Sequence, residues 1–365
     1  MSVSYGGDSI TFADGSISSS GWNGFRNRII NGDMRIDQRN AGASVVTSAA
    51  YTLDRYYVGE DTDGTISVQQ VSDAPEGFNN SIKFTVGTAD ASLAASQYAY
   101  FRQGVEGYNF ADCNFGTANA KTVTVSFWVK SNVTGLFSGN LASTGHDRCY
   151  AFSYTINSAN TWEYKTATIT GDTTGTWNKT NSSGVWLHFC LASGSTYLQS
   201  AGSWAAGTYL GVTGTTNLMA TSGNTFQVTG IQLERGSTAS SFEYRPYGTE
   251  LALCQRYYYR ITAAGASRNF GVGFVNSSTI ADFTLPFPVT MRDEPSALEQ
   301  TGTASNYVVI AGAGNINCSS VPTYQTSSQW SAQFRFTVAS GLTTGQAALA
   351  RNTTTGAYLG WSAEL

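Results

Sequence analysis

The sequence predicts an all-β protein: a jelly-roll β-sandwich and a second, C-terminal β-sandwich, preceded by an extended N-terminal arm. Many short segments alternate apolar and polar residues, which is the period of a β-strand. Clusters of Gly, Asn, Asp and Ser separate these segments at intervals typical of a sandwich, and helical periodicity is missing across the middle of the chain. We place the arm and its linker at 1–49, the jelly roll at 50–245, and a short junction helix with the C-terminal sandwich at 246–365.

The arm, residues 1–25, is dominated by small and polar residues. Its apolar residues Ile10, Phe12 and Ile17 are isolated and nearly alternate. A segment of this composition cannot bury enough surface to fold alone. We therefore expect it to form extended or hairpin structure that orders against a partner surface or against copies of itself.

The segment that follows, NRIINGDMRIDQRN at 27–40, is too irregular for a helix and too polar for a membrane anchor. Four arginines lie in it or directly before it: Arg26, Arg28, Arg35 and Arg39. Because Asp33, Asp37 and Asp54 are close in sequence, we expect these arginines to hold local carboxylates and carbonyl groups. The segment is then a linker between the arm and the jelly roll.

The middle block is predicted to form many short strands. In KTVTVSFWVKS, 121–131, four apolar residues occupy alternate positions, and Trp128 lies on the opposite face. The same alternation occurs in RCYAFSYTIN, TWEYKTATIT, GVWLHFCLAS and NTFQVTGIQLE. Proline is nearly absent here, so the strands are uninterrupted. A jelly roll of about 190 residues is the architecture that this pattern favours.

The stretch RPYGTELALCQRYYYRI, 245–261, is the best helix candidate in the chain. Thr249 can cap the N-terminus, and Glu250 lies in the first turn. Four residues share one face of this helix: Leu251, Cys254, Tyr257 and Tyr258. The pattern predicts a short helix at the junction between two domains.

The remainder of the chain is predicted to be β again. Its strands are NFGVGFV, IADFTLPFPV, NYVVIAG, SAQFRFTVA and GAYLGWSAEL. No internal repeat of 20–50 residues is evident, which argues against a repetitive fibre shaft.

The composition limits the class of protein. Charged residues make up 12% of the chain, about half the share of roughly 25% in typical domains, and aromatic residues make up 13%. This suits an outward-facing β protein better than a soluble metabolic enzyme. With a net charge of −4 and no basic patch, nucleic-acid binding is not expected. No apolar run approaches the roughly 18 residues that span a bilayer, and the opening lacks the features of a secretory signal.

The five cysteines lie far apart, and none is in a CxxC motif. They are Cys113, Cys149, Cys190, Cys254 and Cys318. An odd number at such spacing is typical of free, mostly buried thiols.

Several motifs resemble those of known proteins. The run NRIINGDMRIDQRN followed by YTLDRYYV resembles the opening of many tailed-phage appendage proteins, with Met34 in place of Phe and Tyr56 in place of Trp. Three pieces of the middle block resemble carbohydrate-binding jelly rolls of family 4/9 type: VSFWVKS, TWEYKTATITGDTTGTW and FQVTGIQLERGSTASSFEYRPYGTELALCQRYY. The last of these also resembles a phage virion pattern, as do LPFPVTMRDEPS and AYLGWSAEL.

The resemblance implies a virion appendage: a tail fibre, a head fibre or a decoration protein. Homotrimers are common in that class, so a homotrimer is expected. The resemblance also implies assembly in the host cytoplasm and exposure on the particle. The arm would then attach to capsid, portal or tail proteins, with Ile10, Phe12 and Ile17 as candidate attachment residues.

No pattern of catalytic residues stands out. A glycosidase needs two facing carboxylates, and none of the acidic candidates has a mechanistic spacing. Those candidates are Glu106, Asp112, Glu163, Asp172, Glu234 and Glu243. No nucleophile elbow or HExxH motif occurs, and only His146 and His188 could serve a Ser-His-Asp triad. We therefore expect no enzyme activity and assign no catalytic residue.

Two His/Cys pairs could in principle hold zinc: His146 with Cys149, and His188 with Cys190. Zinc pairs usually sit on knuckles, whereas these lie on or beside strands. The second pair also shares a face with Trp186, which favours packing. We assign no metal ligand and expect no cofactor, although the resemblance allows a structural calcium ion whose oxygen ligands the sequence does not identify.

Glycan binding is the sharpest functional hypothesis. Sugars stack their C–H faces on aromatic rings, and nearby Asn, Gln and Asp accept or donate hydrogen bonds to their hydroxyls. Candidate residues for carbohydrate binding are Trp177, Trp186, Tyr197 and Trp204. Trp128 and Trp186 lie opposite the main apolar stripe of their strands, on a face that can form a sugar cleft. The competing explanation is that each Trp packs in a core or at a trimer interface.

The sequence thus favours a non-enzymatic, trimeric virion appendage that contacts host surface glycans through many weak contacts. One alternative is a capsid decoration or cement protein that stabilises the head lattice. A second is a polysaccharide depolymerase, which would need a carboxylate pair converging in a groove. Binding to host polysaccharide would distinguish the glycan-binding appendage from the cement protein. Release of oligosaccharide products from the polysaccharide would distinguish the depolymerase from both.

Overall fold

The structure, a computed structural model, describes residues 25–312 and 314–365, and before residue 25 only the backbone of three short strands. The chain divides into two compact units, Met1–Pro246 together with Leu365, and Tyr247–Glu364. Both are built of antiparallel β-sheets packed face to face, which confirms the predicted all-β fold. No helix in the described part of the chain is long and apolar enough to cross a membrane.

The strands of the first unit are, in chain order, β1 (Ser4–Gly6), β2 (Ser9–Thr11), β3 (Ile17–Ser19), β4 (Val45–Val46), β5 (Ala49–Leu53), β6 (Tyr56–Asp61), β7 (Ile66–Val71), β8 (Ser81–Val86), β9 (Tyr98–Glu106), β10 (Val123–Ser131), β11 (Gly135–Ala142), β12 (Cys149–Ile156), β13 (Glu163–Ile169), β14 (Ser183–Ser193), β15 (Leu198–Gln199), β16 (Trp204–Ala205), β17 (Gly211–Val212) and β18 (Thr225–Arg235). Short 3-10 helices occupy Gly107–Asn109, Ala111–Cys113, Ser195–Tyr197 and Leu218–Ala220.

Two sheets form the sandwich of this unit. Sheet 1 has the order β13-β10-β18-β8-β7-β4, and sheet 2 has the order β16-β12-β11-β14-β9-β6-β5. The chain crosses repeatedly from one sheet to the other: β9 lies in sheet 2, β10 in sheet 1, β11 and β12 in sheet 2, and β13 in sheet 1. Such crossing between two antiparallel sheets defines the predicted jelly roll. The backbone of β1, β2 and β3 forms a separate antiparallel sheet.

The core lies between sheets 1 and 2 and is rich in aromatic rings. On β10 the four alternating residues Val123, Val125, Phe127 and Val129 are all fully buried, as their period predicts. Phe101 of β9 stacks on Phe189 of β14 with ring centroids 4.8 Å apart, and Phe127 meets the same ring edge-on at 4.9 Å. These contacts fix which face of each strand points inward, and therefore which side chains are left on the outer faces.

The segment predicted as a linker is part of this sandwich. Residues 27–33 lie along β18, where Arg28 N donates to Leu233 O at 2.8 Å and Ile231 N donates to Gly32 O at 2.9 Å. A Cβ on Gly32 would lie 2.2 Å from Ile231 O, so only glycine permits this approach. Ile29 and Met34 belong to the core. Packed structure therefore begins well before residue 50, where the sequence analysis started the jelly roll.

The arginines of the segment bind local groups, as the sequence indicated. Arg28 pairs with Asp112 at 2.7 Å, and Arg35 pairs with Asp33 at 2.8 Å. Arg35 also donates to the carbonyl of Arg245. These contacts hold the segment to the jelly roll rather than presenting a basic surface.

The second unit begins with α1 (Tyr247–Gln255) and continues with β19 (Tyr258–Thr262), β20 (Asn269–Ser277), β21 (Ile280–Pro286), β22 (Glu299–Gln300), β23 (Tyr307–Ala311), β24 (Gly314–Asn317), β25 (Thr323–Ser327), β26 (Ser331–Thr337), β27 (Ala347–Asn352) and β28 (Tyr358–Ser362), with a 3-10 helix at Ala304–Asn306. A sheet of order β24-β23-β27-β20-β21-β26-β25 packs on a smaller sheet of order β19-β28-β22. Trp361 is fully buried between them, 6.0 Å from the ring of Phe334.

The junction helix exists but is shorter than 245–261, because β19 begins at Tyr258. The predicted cap was wrong: the helix begins at Tyr247, so Thr249 is its third residue, whereas Glu250 does lie in the first turn. Cys254 is buried as predicted.

Candidate functional site

The outer face of sheet 2 carries a row of polar and aromatic side chains that crosses the strands. Tyr57 of β6 lies directly opposite Arg102 of β9, Arg102 opposite His188 of β14, and His188 opposite Asn140 of β11. Residues paired in this way share one face of a sheet. Since Phe101 and Phe189 point into the core, this row points away from it.

A second set of rings lies beside that row. Tyr98 and Tyr100 alternate with buried Ala99 and Phe101 along β9, and their ring centroids are 5.5 Å apart. Tyr100 lies over the backbone of Gly59, where a Cβ would be 2.5 Å from the ring. We call this surface the sheet-2 outer face. It comprises Tyr57, Tyr98, Tyr100, Arg102, Trp186 and His188.

Arg102 and Trp186 form the centre of the sheet-2 outer face. The guanidinium carbon of Arg102 lies 3.8 Å from the centroid of the Trp186 ring and 5.0 Å from that of Tyr57. Both distances are within the range of cation–π attraction. Among the described residues, the guanidinium has no carboxylate partner and makes no hydrogen bond.

Two histidines adjoin Trp186. The ring of His146 lies 4.8 Å from Trp186 and 5.8 Å from His188. Burial, with a smaller effect of the Arg102 charge, lowers the pKa of both imidazoles, and that of His188 is lowered well below its usual range. Both rings are therefore neutral at pH 7, and Arg102 supplies the positive charge of this surface.

Three polar atoms at this surface are buried and have no partner among the described residues: Asn140 Oδ1, Trp186 Nε1 and His188 Nδ1. The amide nitrogen of Asn140 is satisfied, since it donates to Tyr209 O at 2.7 Å. Leaving a buried polar atom without a partner costs about 1–3 kcal/mol, so such groups cluster where something else supplies the hydrogen bond. Those three atoms are enclosed by the protein, so the sheet-2 outer face offers a hydroxyl-rich ligand the rings and phenols of its half-buried tyrosines and the Arg102 guanidinium.

The structure places two of the four predicted sugar-binding residues at this surface. Trp186 lies in it, with one contact to Arg102 and one to His146. Tyr197 borders it, with its ring 5.5 Å from that of Tyr98 in an edge-on contact. The sequence analysis missed Tyr57, Tyr98 and Tyr100. The alternation in YAYFRQG, 98–104, was the signal that could have found the last two, because it separates buried from outward residues.

The other two predicted residues, Trp177 and Trp204, pack on one another, and their role as sugar platforms stays a prediction. Trp177 is only 7% exposed and belongs to the core; Trp204 is half-buried and packs against it. Their rings meet edge-on at 5.4 Å, and both contact Phe115. Each indole N–H donates to a backbone carbonyl, that of Thr174 or of Thr170. This packing accounts for both indole groups without a ligand.

The outer face of sheet 1 carries a second aromatic surface. Trp128 lies 5.4 Å from Tyr164, and a separate group is formed by Phe78, Phe242 and Tyr244 with centroids 4.9–5.4 Å apart. Tyr244 donates to Gly77 O at 2.9 Å. At its edge, Lys130 pairs with Asp73, which also accepts from Trp162 Nε1 at 3.3 Å. The lysine at the edge of this surface is therefore already paired with a carboxylate, unlike Arg102.

Most of the acidic candidates for catalysis are held by nearby donors. Arg148 binds Asp172 through two hydrogen bonds of 2.6 and 3.0 Å. Burial alone would raise the pKa of Glu163, but hydrogen bonds from Lys165, Asn157 and the Ser158 N–H outweigh it and lower the pKa to about 2. Three others are also bound: Asp112 by Arg28, Glu234 by Ser240, and Glu243 by the backbone of Arg26 and Asn27. A general acid needs a raised pKa, which these contacts oppose.

The cysteines are free and buried, as predicted. Burial raises the pKa of Cys149 to about 11 and that of Cys190 to about 12, so both are neutral thiols. In the described part of the chain, no three His, Cys, Asp or Glu side chains are placed to hold a metal ion. His146 Nδ1 lies 4.0 Å from Cys149 Sγ. Of the candidate attachment residues, Phe12 lies outside the described residues, and Ile10 and Ile17 are described only by their backbone.

Comparisons with known proteins give structural similarity alone. No family model matches the chain, and no curated protein matches it. Similar solved structures include the enzymatically active domain of bacteriophage CBA120 tailspike protein 4, with 13% identity and a TM-score of 0.31 over 57% of this chain. The chain spans only 21% of that tailspike structure.

Two further similar structures are carbohydrate-binding modules. One is TmCBM61 in complex with β-1,4-galactotriose, with 12% identity, a TM-score of 0.30, and coverage of 58% of this chain and 100% of that one. The other is the family 11 module from Clostridium thermocellum in complex with a β-1,3-1,4-mixed-linked tetrasaccharide, with 15% identity, a TM-score of 0.26, and coverage of 56% and 100%.

Proposed function

We propose that this chain is a non-enzymatic bacteriophage virion protein that contacts host surface polysaccharide through the sheet-2 outer face. The virion assignment is supported by the resemblance of residues 27–58 and 226–258 to phage appendage sequences. The glycan assignment is supported by the site. A tailspike domain and sugar-bound modules among the similar structures are compatible with both parts but do not carry them.

The observation that carries the glycan proposal is the combination of rings with unused hydrogen-bonding groups. Tyr57, Tyr98 and Tyr100 are half-buried, so each keeps part of its ring and its phenol at the surface. Burial raises the pKa of Tyr98 and of Tyr100, which keeps these phenols protonated as donors. Binding sites usually combine apolar ring surface with a few convergent polar groups. The outer face of sheet 1 has rings of similar number, but its cation Lys130 is already paired with Asp73.

In the proposed arrangement, the glycan chain lies across β6 and β9, over the half-buried Tyr57, Tyr100 and Arg102. The N-terminal arm attaches the protein to capsid, portal or tail proteins, and the protein assembles as a homotrimer. It is assembled in the host cytoplasm and exposed on the particle. Three copies per appendage, and many appendages per particle, would multiply weak contacts into strong attachment.

The experiment is a glycan array followed by titration calorimetry with the best ligand. Tyr98→Ala should weaken binding at least fivefold, equivalent to about 1 kcal/mol, because it removes one ring of the sheet-2 outer face. Tyr164→Ala is the matched control, since Tyr164 is a 45% exposed tyrosine on the outer face of sheet 1. Its binding should equal that of the unmodified protein.

Equal loss in both variants, or loss only in Tyr164→Ala, would place the ligand elsewhere and overturn the site assignment. Absence of binding to any glycan, with the protein found by electron microscopy as a bridge between capsomers, would favour the cement protein. Release of reducing ends from polysaccharide would favour the depolymerase.

A further inference from the structure

Arg102 differs from Arg148 and Arg335 in its partners. Arg148 donates two hydrogen bonds to Asp172, and Arg335 donates two to Asp282, at 2.7 and 3.0 Å. Each pair has the bidentate geometry that guanidinium and carboxylate groups favour. Arg102 has no such carboxylate partner among the described residues, and its close neighbours are aromatic rings such as that of Trp186.

The aromatic contacts of Arg102 do not use its hydrogen-bonding capacity. A cation–π contact is an attraction between the charge and the ring and uses none of the five N–H donors in a hydrogen bond. The rings of Trp186 and Tyr57, 3.8 and 5.0 Å away, therefore restrain the guanidinium, while its donors have no acceptor among the described residues. Less conformational freedom is then lost when a ligand binds, which favours binding.

The charges around Arg102 define an orientation. His146 and His188 are neutral at pH 7, so the positive charge at the centre of this surface is that of Arg102. Acidic groups lie at one end: Asp61 and Glu60 are close enough to Tyr98 to raise its pKa further, beyond the effect of burial. A ligand with one anionic group is therefore attracted to the centre and repelled from the Tyr98 end.

We infer that the sheet-2 outer face binds a glycan that carries a carboxylate, such as a polymer containing uronic or nonulosonic acid, with Arg102 as its two-pronged anchor. This inference rests on the proposed glycan-binding function and adds the chemical class of the ligand. The carboxylate occupies the position at Arg102 that Asp172 occupies at Arg148. The sugar ring attached to it lies against Tyr57 or Tyr100.

The test uses acidic oligosaccharides and their methyl esters, which keep the shape of the sugar and remove the charge. Titration calorimetry on the full chain compares tetramers of galacturonate, mannuronate, hyaluronan and polysialic acid with their esters. At least one acid should bind tenfold or more tightly than its ester, and the difference should shrink in 0.5 M salt, where the screening length is only about 4 Å.

Variants then assign the preference to one residue. Arg102→Gln should reduce the acid-over-ester ratio to near one, and Arg102→Lys should give an intermediate ratio, because lysine keeps the charge but loses the planar fork. Arg260→Gln is the matched control: Arg260 also stacks on a tyrosine, 3.4 Å from the Tyr358 centroid, but lies in the second unit. It should keep the full ratio, and thermal unfolding checks that all three variants are folded.

The outcomes separate this inference from the proposed function. Binding of neutral glycans or esters as tightly as acids, with loss in Tyr98→Ala, would overturn the carboxylate preference and leave the glycan site standing. A preference for acids that survives in Arg102→Gln would overturn the role of Arg102. Absence of binding to every acid, ester and neutral glycan would overturn both.

Discussion

At the scale of single residues, glycines beneath aromatic rings shape both outer faces of the jelly roll. Tyr100 lies over Gly59 on sheet 2, and Phe78 lies over Gly230 on sheet 1, where a Cβ would be 2.7 Å from the ring. Gly230 has a φ of +62° and sits at the bulge between β10 and β18. In each case the missing side chain lets an aromatic ring come closer to the backbone of the sheet than any other residue would allow.

The first prediction concerns Gly59. Gly59→Ala should displace the Tyr100 ring, because the new methyl group would lie 2.5–2.7 Å from three of its atoms. We expect a loss of about 1–3 kcal/mol of folding stability, measured by urea unfolding, and weaker glycan binding. Gly248→Ala is the control, since no atom lies within 4 Å of its Cβ position in α1. Unchanged stability in Gly59→Ala would show that Tyr100 does not rest on this glycine.

The second prediction concerns pH. Burial lowers the pKa of His188 well below 6.5, with further effects of Arg102 and His146, and Tyr100 packs on the same ring at 5.2 Å. Below pH 6.5 the unfolded chain binds a proton that the folded chain does not, so this contribution to stability is present above pH 6.5 and is lost as the pH falls. The slope is up to about 1.4 kcal/mol per pH unit.

Urea unfolding of the unmodified protein and of His188→Gln between pH 7.5 and 5 measures this effect. The difference in stability between the two should move in favour of the variant as the pH falls. A constant difference over that range would mean that His188 takes up a proton as readily in the folded as in the unfolded protein, which would contradict the lowered pKa.

The sequence predicted outward-facing residues better on strands than in loops. Trp186 follows a clear alternation in GVWLHFCLAS, and the structure places it on an outer face. Trp177 and Trp204 lie outside long strands, where no period separates inward from outward positions; Trp177 lies in the core, and Trp204 packs against it. Arg102 was missed because its significance depends on the lack of a carboxylate partner among the described residues, which only the folded arrangement can show.

At the scale of elements, the segment 27–36 is an irregular edge attached to β18. Asn27 is 4% exposed and makes three buried hydrogen bonds: its amide donates to Ile231 O, and its Oδ1 accepts from Leu233 N and Ile29 N. Arg245 adds donors to the carbonyls of Asn27 and Ile29. This polar segment can be buried because these hydrogen bonds satisfy its backbone N–H and C=O groups.

The third prediction tests this attachment. Asn27→Ala should destabilise the jelly roll by at least about 2 kcal/mol, because it leaves buried backbone groups without partners. The matched control is Asn132→Ala. Asn132 also bridges two backbone groups, Gly223 O and Thr225 N, but at an exposed site where water can replace it. Similar losses in the two variants would contradict the account of a buried clamp.

Elements with strict alternation were predicted well, and irregular ones were not. The strands β10, β12, β13, β14 and β18 fall on the five segments named from the sequence. Residues 27–40 have neither helical nor strand period, so the sequence indicated a linker, and only the hydrogen bonds to β18 reveal a packed element. The predicted helix cap was wrong because the helix begins at Tyr247, two residues before Thr249, whose hydroxyl was expected to cap it.

At the scale of the whole molecule, attachment to the virion and glycan binding are assigned to different parts of the chain. The first described core residue is Ile29, and the predicted attachment residues precede it. Deletion of residues 1–25 should therefore leave a folded protein with an unchanged unfolding temperature and unchanged glycan binding. It should no longer be incorporated into virions, as measured by quantifying the protein in purified particles.

Light scattering of the full chain and of the deletion variant provides the accompanying measurement, with a homotrimer expected for the full chain. Loss of folding on deletion would contradict the role of an attachment arm. Normal incorporation of the shortened protein would place the attachment surface elsewhere.

The central claim is that the sheet-2 outer face binds glycan, and a crystal structure of the protein with its tightest array ligand tests it most directly. The account predicts a sugar ring against Tyr57, Tyr98 or Tyr100, with an anionic or hydroxyl oxygen within hydrogen-bonding distance of the Arg102 guanidinium. A sugar bound instead on the outer face of sheet 1, beside Trp128 and Tyr164, would contradict it.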